Sequence, residues 1–276
     1  MHLSIDIGEA AAYLARLNEA GGSRVTMQHL VTAAIARSYA AFPYANATVS
    51  GRQVLRHPHV GAAMPMNLPD EPTGHELGFL LVREAETLSL RELGDRTRAR
   101  VERERNHSSF RQLRRLGYQA IDRTPSVALA GALSAVDLAC KLPAVSRAIH
   151  QRFPLTILVS NVGAAIGIPN GALVRGGNIT LPNRFFSIGS VLGVFPIQDE
   201  VRAVDGQPVV RPTLPVSYVF DHRLFDGVAA GRVLTRFGEI LADPAEAFGD
   251  DGGRVGPPCV GGRPGAVPRP HQPRIN

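Results

Sequence analysis

An apolar stripe at helical spacing, near the C-terminal end of the chain, constrains the fold more than any other feature. Residues recurring at intervals of three and four predict a helix with one buried face, and Pro244 ends it. A strand-like run, "PVSYVF" at residues 215–220, precedes this helix, so the turn "DHRLFDG" between them is predicted at the edge of a sheet. The stripe consists of Ala230, Val233, Leu234, Phe237, Ile240 and Leu241.

Helical and strand-like segments are mixed along the rest of the chain. The best marked of the other helices spans residues 26–42, where Thr26 is a suitable N-cap and Pro43 lies just past the end. Asp205-Gly206 predicts the turn of a charged hairpin. Further helices are predicted over residues 8–18, 89–115 and 125–153, the last interrupted at Pro143, and further strands over residues 46–68, 76–86, 155–163 and 184–195.

Length and composition fit a globular protein. With 276 residues, 44% of them hydrophobic, the chain can bury one large core or two smaller ones. No apolar run reaches the roughly 18 residues needed to cross a bilayer, and the start "MHLSIDIGEA" lacks the basic and apolar regions of a signal peptide. These features predict a cytoplasmic protein with no membrane partner.

The positive charge does not predict a nucleic-acid partner. The net charge is +6, but the arginines are scattered rather than clustered or interleaved with aromatic residues. The densest run, residues 96–115, alternates in sign in its middle, which is typical of a solvated helix face. We therefore expect no nucleic-acid binding.

Cysteine and histidine do not form a metal-ligand pattern. Cys140 and Cys259 lie far apart in dissimilar contexts, which excludes a disulfide framework and a zinc site built from cysteine. His57 and His59 are two residues apart, but Pro58 separates them and no third ligand is nearby. We expect no metal.

The last residues of the chain differ in composition from the rest. Residues 250–276 are rich in Pro and Gly and lack a hydrophobic period. We therefore expect a folded unit over residues 1–249, followed by a disordered Pro/Gly-rich tail over residues 250–276.

The turn between the last strand and the last long helix is the candidate site. His222 lies between Asp221 and Asp226, and Arg223 can neutralise one of the two aspartates. A general base needs a pKa near the working pH and a ring held in one tautomer, which a nearby carboxylate or carbonyl can enforce. The residues alone leave two interpretations open, and a satisfied structural cluster is favoured over a catalytic one.

A resemblance to a known family changes this balance. The turn reads D-H-R-x-x-D-G, from Asp221 to Gly227, and it is similar to the signature of the 2-oxoacid dehydrogenase acyltransferases, the dihydrolipoyl acyltransferase family. Upstream, "LVSNVG" at residues 158–163 resembles the strand and turn T-x-S-N-x-G of that family, and "FPYANATV" at residues 42–49 resembles its P-x-x-N-A segment. The similarity covers most of residues 26–248.

The resemblance implies a fold and a site. The implied fold is an α/β, chloramphenicol acetyltransferase-like two-layer sandwich with a mixed central sheet and flanking helices. The family's motif histidine is the general base, a role that His222 takes here. The family's serine, which corresponds to Ser160, donates a hydrogen bond to the oxyanion. Without the resemblance, Ser160 also fits a buried strand serine that is hydrogen-bonded to the backbone. Asp226 is implied to organise the turn.

The implied assembly is a homotrimer whose active sites lie between subunits, with the histidine from one chain and the serine from its neighbour. Acetyl-CoA is the implied co-substrate, and the residues that contact CoA are not identifiable from the sequence. We expect no lipoyl group on this chain, since the sequence shows neither the lipoyl-lysine nor the linker segments of family members that serve dehydrogenase complexes.

Departures from the family pattern bear on the substrate. The G-L-x-x-P-V segment appears as "LGFLLV" at residues 77–82 without its proline, and the 62-residue span from Ser160 to His222 is extended. We therefore expect retained acyl-transfer machinery with a changed acceptor. This predicts a stand-alone acetyl-CoA-dependent O-acetyltransferase acting on a small hydroxylated acceptor, as in members that acetylate the primary alcohol of a tetronate intermediate in natural-product biosynthesis.

Two alternatives stay open at this point. One is acyl transfer from a thioester on an acyl carrier protein or a lipoyl domain instead of CoA. The other is a non-catalytic trimeric scaffold, against which the retention of His222 argues.

Overall fold

The computed structural model describes residues 1–50, 53–68, 76–106, 123–163, 172–181, 187–257 and 259. Parts of four predictions lie outside these residues: residues 51–52 and 184–186 of predicted strands, residues 107–115 of a predicted helix, and residues 258 and 260–276 of the predicted tail. The helices are α1 (Gly8–Glu19), α2 (Met27–Ala41), α3 (Leu90–Asn106), α4 (Ser126–Cys140), α5 (Pro143–Arg152), α6 (Gly227–Ala242) and α7 (Pro244–Phe248). The strands are β1 (His2–Asp6), β2 (Ala47–Ser50), β3 (Gln53–Arg56), β4 (Ala62–Leu68), β5 (Glu76–Val82), β6 (Ile157–Asn161), β7 (Ser190–Val194), β8 (Gln198–Val204) and β9 (Gln207–Phe220).

The strands form a mixed sheet, which confirms the predicted fold class. The order is β1-β9-β7-β6-β4-β5, and β8 pairs with residues 207–213 at the N-terminal end of β9. β6 runs parallel to β4 and β7, while the other pairs are antiparallel. β2 and β3 form a separate hairpin. The predicted turn between β8 and β9 is present, because Asp205 and Gly206 have φ values of 50° and 77°.

Helices cover one face of this sheet. The predicted stripe of α6 is buried along its whole length, and twelve of the fifteen residues of α2 are buried as well. The strands contribute one residue in two to this core: Val159, Leu192 and Tyr218 are buried here and lie side by side in β6, β7 and β9. The next residue along each strand faces the opposite side of the sheet.

The predicted cap of α2 is present, with an additional partner. The Thr26 hydroxyl accepts a hydrogen bond from the His29 backbone N–H at 3.4 Å. In return, Nδ1 of His29 accepts from the Thr26 backbone N–H at 3.2 Å. This reciprocal arrangement is a capping box in which histidine takes the position that Glu or Gln usually fills. His29 is buried, so its ring must stay neutral to make the second bond.

The first strand was not predicted. β1 has only five residues, and its pairing partner is residues 213–217 of β9, at the other end of the chain. A strand this short gives a weak local signal, and the pairing that stabilises it is long-range.

The boundary predicted at residue 249 is corrected by the structure. The Arg37 guanidinium, which is buried, donates to the backbone oxygens of Leu88 (3.2 Å), Arg254 (2.6 Å) and Ala247. Burial lowers the pKa of Arg37 to about 10. The Leu90 N–H also donates to the Gly252 oxygen at 3.0 Å. Residues 250–257 therefore belong to the packed structure, because a buried cation and a helix N-terminus are bonded to their backbone.

α4 lies on the outside of the structure although most of its side chains are apolar. None of its residues is buried, and Val127 and Leu138 are 84% and 68% exposed. Within the described ranges, no single helix has the length and hydropathy to cross a membrane. α4 and α5 meet that test only as a pair, bent by 87° at their junction.

The protein should lose stability below pH 6.5 in part through His29. Burial lowers the pKa of His29 to about 4 from its ordinary value of 6.5. Between these values the unfolded chain binds a proton at this residue that the folded chain does not. The stabilisation is complete above pH 6.5 and decreases by about 1.4 kcal/mol per pH unit as the pH falls toward 4.

The matched control is His29→Gln, because glutamine can accept the same capping bond and does not titrate. Urea denaturation across the range from about pH 7 to about pH 4.5 should show the unfolding free energy of the wild type falling by roughly 2.5 kcal/mol more than that of the variant. Parallel pH dependences of the two proteins would contradict this account.

Candidate active site

The candidate site begins where β9 ends. The Asp221 backbone N–H donates to the Gly189 oxygen at 2.9 Å, just before β7, and the Leu224 N–H donates to the Asp221 oxygen at 2.9 Å. These two bonds anchor the turn to the sheet and fold it back toward α6. His222, the next residue, is exposed. The turn that carries His222 therefore lies at the C-terminal end of β9 and has a defined backbone geometry.

Arg223 neutralises Asp221, one of the two aspartates considered from the sequence. Its Nε donates to Oδ1 at 2.9 Å and its Nη2 to Oδ2 at 2.5 Å, and its backbone N–H also donates to Oδ1 at 3.0 Å. These hydrogen bonds hold the pKa of the Asp221 carboxyl below its usual range. The buried carboxylate is thereby satisfied within the turn.

The imidazole of His222 packs against an aromatic cluster that the sequence reasoning missed. Its ring centroid lies 4.8 Å from that of Phe220, and Phe220 stacks on Phe225 at 4.9 Å with an angle of 11° between the planes. Tyr44 extends the cluster, with its ring 5.9 Å from that of Phe225 and its hydroxyl donating to the Ala229 oxygen at 3.0 Å. The cluster supports one side of the imidazole while the side chain remains accessible to solvent. The aromatic residues of "YVFDHRLF" were the available signal.

Asp226 caps the helix that follows the turn. Its Oδ1 accepts a hydrogen bond from the Ala229 backbone N–H at 2.8 Å, and its backbone is extended, as the N-cap position of α6 requires. A carboxylate at this end of a helix is also favoured by the helix dipole. The contact is the kind that a residue organising the turn would make.

Two substitutions of Asp226 distinguish the contribution of its capping hydrogen bond from that of its negative charge. Asp226→Ala should lower the unfolding free energy by about 1 kcal/mol, because the Ala229 N–H loses its partner, whereas Asp226→Asn, which can make the same bond, should cost a few tenths. Chemical denaturation of both variants measures this. A drop in acyl-transfer rate in Asp226→Asn without loss of stability would show a catalytic role for the charge and would contradict a purely organising one.

Ser160 lies in β6, on the face of the sheet opposite the helices. It pairs with Gly193 of β7, which in turn pairs with Ser217 of β9. These three positions alternate with the buried row of Val159, Leu192 and Tyr218, so their side chains project to the other side. Ser160 is half-buried, and Gln28 of α2 fixes the strand beside it by donating from Nε2 to the Val159 oxygen at 3.0 Å.

The turn after Ser160 is held close to the next strand. The Val162 and Gly163 N–H groups both donate to the Val194 oxygen, at 2.9 and 3.2 Å. A Cβ atom at Gly163 would lie 2.7 Å from the Phe195 carbonyl carbon and from the Pro196 nitrogen, so only glycine fits. Turn chemistry thus accounts for Gly163.

One chain does not bring Ser160 and His222 together. Ser160 is two strands away from β9, and His222 lies five residues beyond the position of β9 that is level with Ser160. At strand spacings of about 4.8 Å and a rise of about 3.3 Å per residue, the two side chains are on the order of 15–20 Å apart. A site that uses both residues therefore needs a second chain.

The two histidines considered as metal ligands from the sequence, His57 and His59, have protein partners. His59 Nδ1 lies 3.0 Å from Glu86 Oε1, and His57 Nε2 lies 2.9 Å from the Thr48 hydroxyl. Among the described residues, no group of three or more His, Cys, Asp and Glu side chains is arranged to hold a metal ion.

Comparison with known proteins finds similarity over part of the chain. The family model described as 2-oxoacid dehydrogenases acyltransferase (catalytic domain) matches residues 185–249. Two succinyltransferase components of 2-oxoglutarate dehydrogenase complexes are similar in sequence. The protein of Bartonella vinsonii subsp. berkhoffii is 34% identical over 82 residues, 30% of this chain and 20% of that protein. The protein of Azotobacter vinelandii is 38% identical over 61 residues, 22% and 15% of the two chains. The matches thus span about a fifth of those relatives.

Solved structures extend the likeness to nearly the whole fold. A probable dihydrolipoamide acetyltransferase of Listeria monocytogenes superposes with a TM-score of 0.59 at 15% identity, covering 88% of this chain and 82% of that one. A dihydrolipoamide acetyltransferase of Azotobacter vinelandii gives a TM-score of 0.56 at 21% identity, covering 89% and 82%. The fold is that of acyltransferase catalytic domains. Residues 185–249 are thus similar in sequence to the catalytic domain of 2-oxoacid dehydrogenase acyltransferases, and the chain shares the fold of such domains.

Proposed function

We propose that the protein is an acyltransferase that moves an acetyl or other short acyl group from a thioester to an acceptor hydroxyl, with His222 as general base. The observation that carries the proposal is the placement of His222. It is exposed, supported by Phe220, and held at the sheet edge by a turn whose charges, Asp221 and Arg223, are already paired. The imidazole is therefore free to exchange a proton with a substrate rather than being committed to a carboxylate of its own turn.

The proposed reaction uses this arrangement. The His222 imidazole takes the proton of the acceptor hydroxyl as its oxygen attacks the thioester carbonyl carbon, which forms a tetrahedral oxyanion. The Ser160 hydroxyl donates a hydrogen bond to that oxyanion, a contact worth on the order of 10²- to 10³-fold in rate. Collapse of the intermediate breaks the carbon–sulfur bond, and the imidazolium returns its proton to the leaving thiolate.

The proposed site lies between two chains. Because Ser160 and His222 of one chain are far apart, the serine that serves a given histidine comes from a neighbouring copy, in a homotrimer with three equivalent sites. Ser160 suits this role because its side chain is on the face of the sheet that the described helices leave uncovered.

The solved relative from Azotobacter vinelandii supports the choice of residues. That protein was studied for the catalytic roles of a serine, a histidine and an asparagine four residues after the histidine. Here Asp226 lies four residues after His222 and caps α6. A side chain oxygen is thus kept at this position, although asparagine and aspartate differ in charge.

CoA is the proposed donor, and a small hydroxylated molecule, such as the primary alcohol of a tetronate intermediate, the proposed acceptor. The net charge of +6 suits the phosphates of CoA. A thioester on a lipoyl domain or an acyl carrier protein is the second candidate. It fits the relatives at least as well, since these are named as dihydrolipoyllysine-residue acyltransferases, and an acidic carrier also suits a basic surface.

Replacing His222 by alanine should lower the turnover by roughly 10²- to 10⁴-fold without unfolding the protein, because an exposed ring is removed and the turn keeps its own bonds. The measurement is thiol release from acetyl-CoA with a panel of small alcohols, together with a melting curve. Full activity of His222→Ala would remove the mechanism.

The same assay separates the donors. Thiol release from acetyl-CoA supports CoA as donor, whereas release only from acyl-lipoamide or an acyl carrier protein supports the second candidate. A trimer that releases no thiol from any donor would instead indicate a scaffold.

A further inference from the structure

Two histidines outside the proposed site, His57 and His150, form a stacked pair. The ring of His57, just after β3, lies on the ring of His150 in α5, with 5.4 Å between the centroids and 30° between the planes. His150 is buried and His57 is half-buried. Burial and the neighbouring His150 lower the pKa of His57 to about 4, so this ring is neutral near pH 7 and stacks without charge repulsion.

His150 connects α5 to the segment that precedes β7. Its Nδ1 lies 2.7 Å from the Ser146 oxygen, one turn earlier in α5, and its Nε2 lies 3.3 Å from the Ser187 oxygen. A carbonyl oxygen only accepts hydrogen bonds and a neutral imidazole carries one N–H, so the Ser187 contact requires the tautomer protonated at Nε2, in which Nδ1 can accept from the Ser146 hydroxyl at 3.4 Å. The second contact joins two parts of the chain that are 37 residues apart.

The backbone at Gly189 is in contact with β2, the strand that also holds His57. A Cβ atom at Gly189 would lie 2.4 Å from the Ala47 oxygen, so β2 presses directly on this backbone. The next residue of β2, Thr48, holds His57 through its hydroxyl at 2.9 Å. The segment of residues 187–189 is therefore held by His150 at one end and by β2 at the other. Its Gly189 oxygen is the acceptor for the Asp221 N–H, the first bond of the turn that carries His222.

We propose that His150 is a positioning residue for this turn: by holding the Ser187 oxygen, it fixes the Gly189 carbonyl and thus the main chain at Asp221. It does not touch the reacting atoms. The inference rests on the proposed role of His222 as general base, since the turn is what aims that ring. Loss of the Ser187 contact lets residues 187–189 move, which loosens the Asp221 N–H bond and the direction in which His222 leaves β9.

The direct test is hydrogen exchange of the Asp221 amide, read by mass spectrometry on peptides spanning residues 218–224, without substrate. His150→Phe keeps the stacking and the volume but has no donor, so exchange should become about tenfold faster. His150→Gln has an amide that can donate to the Ser187 oxygen, so exchange should stay within about threefold of the wild type. His59→Gln, at a histidine that contacts Glu86, is the matched control and should leave exchange unchanged.

Kinetics supply a second readout. In His150→Phe, kcat should fall about 10- to 100-fold with KM nearly unchanged, and His150→Gln should restore most of the rate. If His150→Phe does not fold, His150→Asn replaces it, because its shorter side chain cannot reach the Ser187 oxygen. If the Asp221 amide exchanges at the wild-type rate in the folded His150→Phe or His150→Asn variant, the inference is wrong. A wild-type protein without acyl transfer would remove only the proposed function, since exchange is measured without turnover.

Discussion

The pairing of β7 with β9 on one side and β6 on the other determines where each residue of the proposed site lies. Because side chains alternate along a strand, burying Val159, Leu192 and Tyr218 against the helices sends Ser160 to the opposite face. The antiparallel direction of β9 then brings its C-terminal end, and with it His222, to the edge where β6 and β7 begin. The core thus fixes the separation of the two residues.

The turn that carries His222 satisfies its own polar groups. Asp221 bonds to Arg223, Asp226 caps α6, and the Asp221 N–H is taken by the Gly189 oxygen. His222 itself is exposed and packs against Phe220, and the charges of the neighbouring Asp221 and Arg223 are paired with each other. The charged residues of the motif therefore bond to one another or to the backbone, and His222 is left accessible for the proposed chemistry.

Features that depend on local chemistry were predicted from the sequence, and features that depend on distant pairing were not. The buried stripe of α6, the Thr26 cap and the Asp205-Gly206 turn follow from spacing and side-chain chemistry within a few residues. β1 pairs with a strand more than 200 residues away, and the stack of His57 on His150 joins two loci 93 residues apart. The tail boundary was misplaced because the backbone oxygens of Gly252 and Arg254, rather than apolar side chains, hold that segment.

The central claim, that a working site combines His222 of one chain with Ser160 of another, is tested most directly by mixing two inactive variants. His222→Ala and Ser160→Ala are unfolded together in equal amounts, refolded, and assayed for acyl transfer. An inter-subunit site predicts recovery of about a quarter of the wild-type activity, because random trimers pair an intact histidine with an intact serine at about one site in four. No activity above that of the separate variants, in mixed trimers verified by mass, would contradict the account.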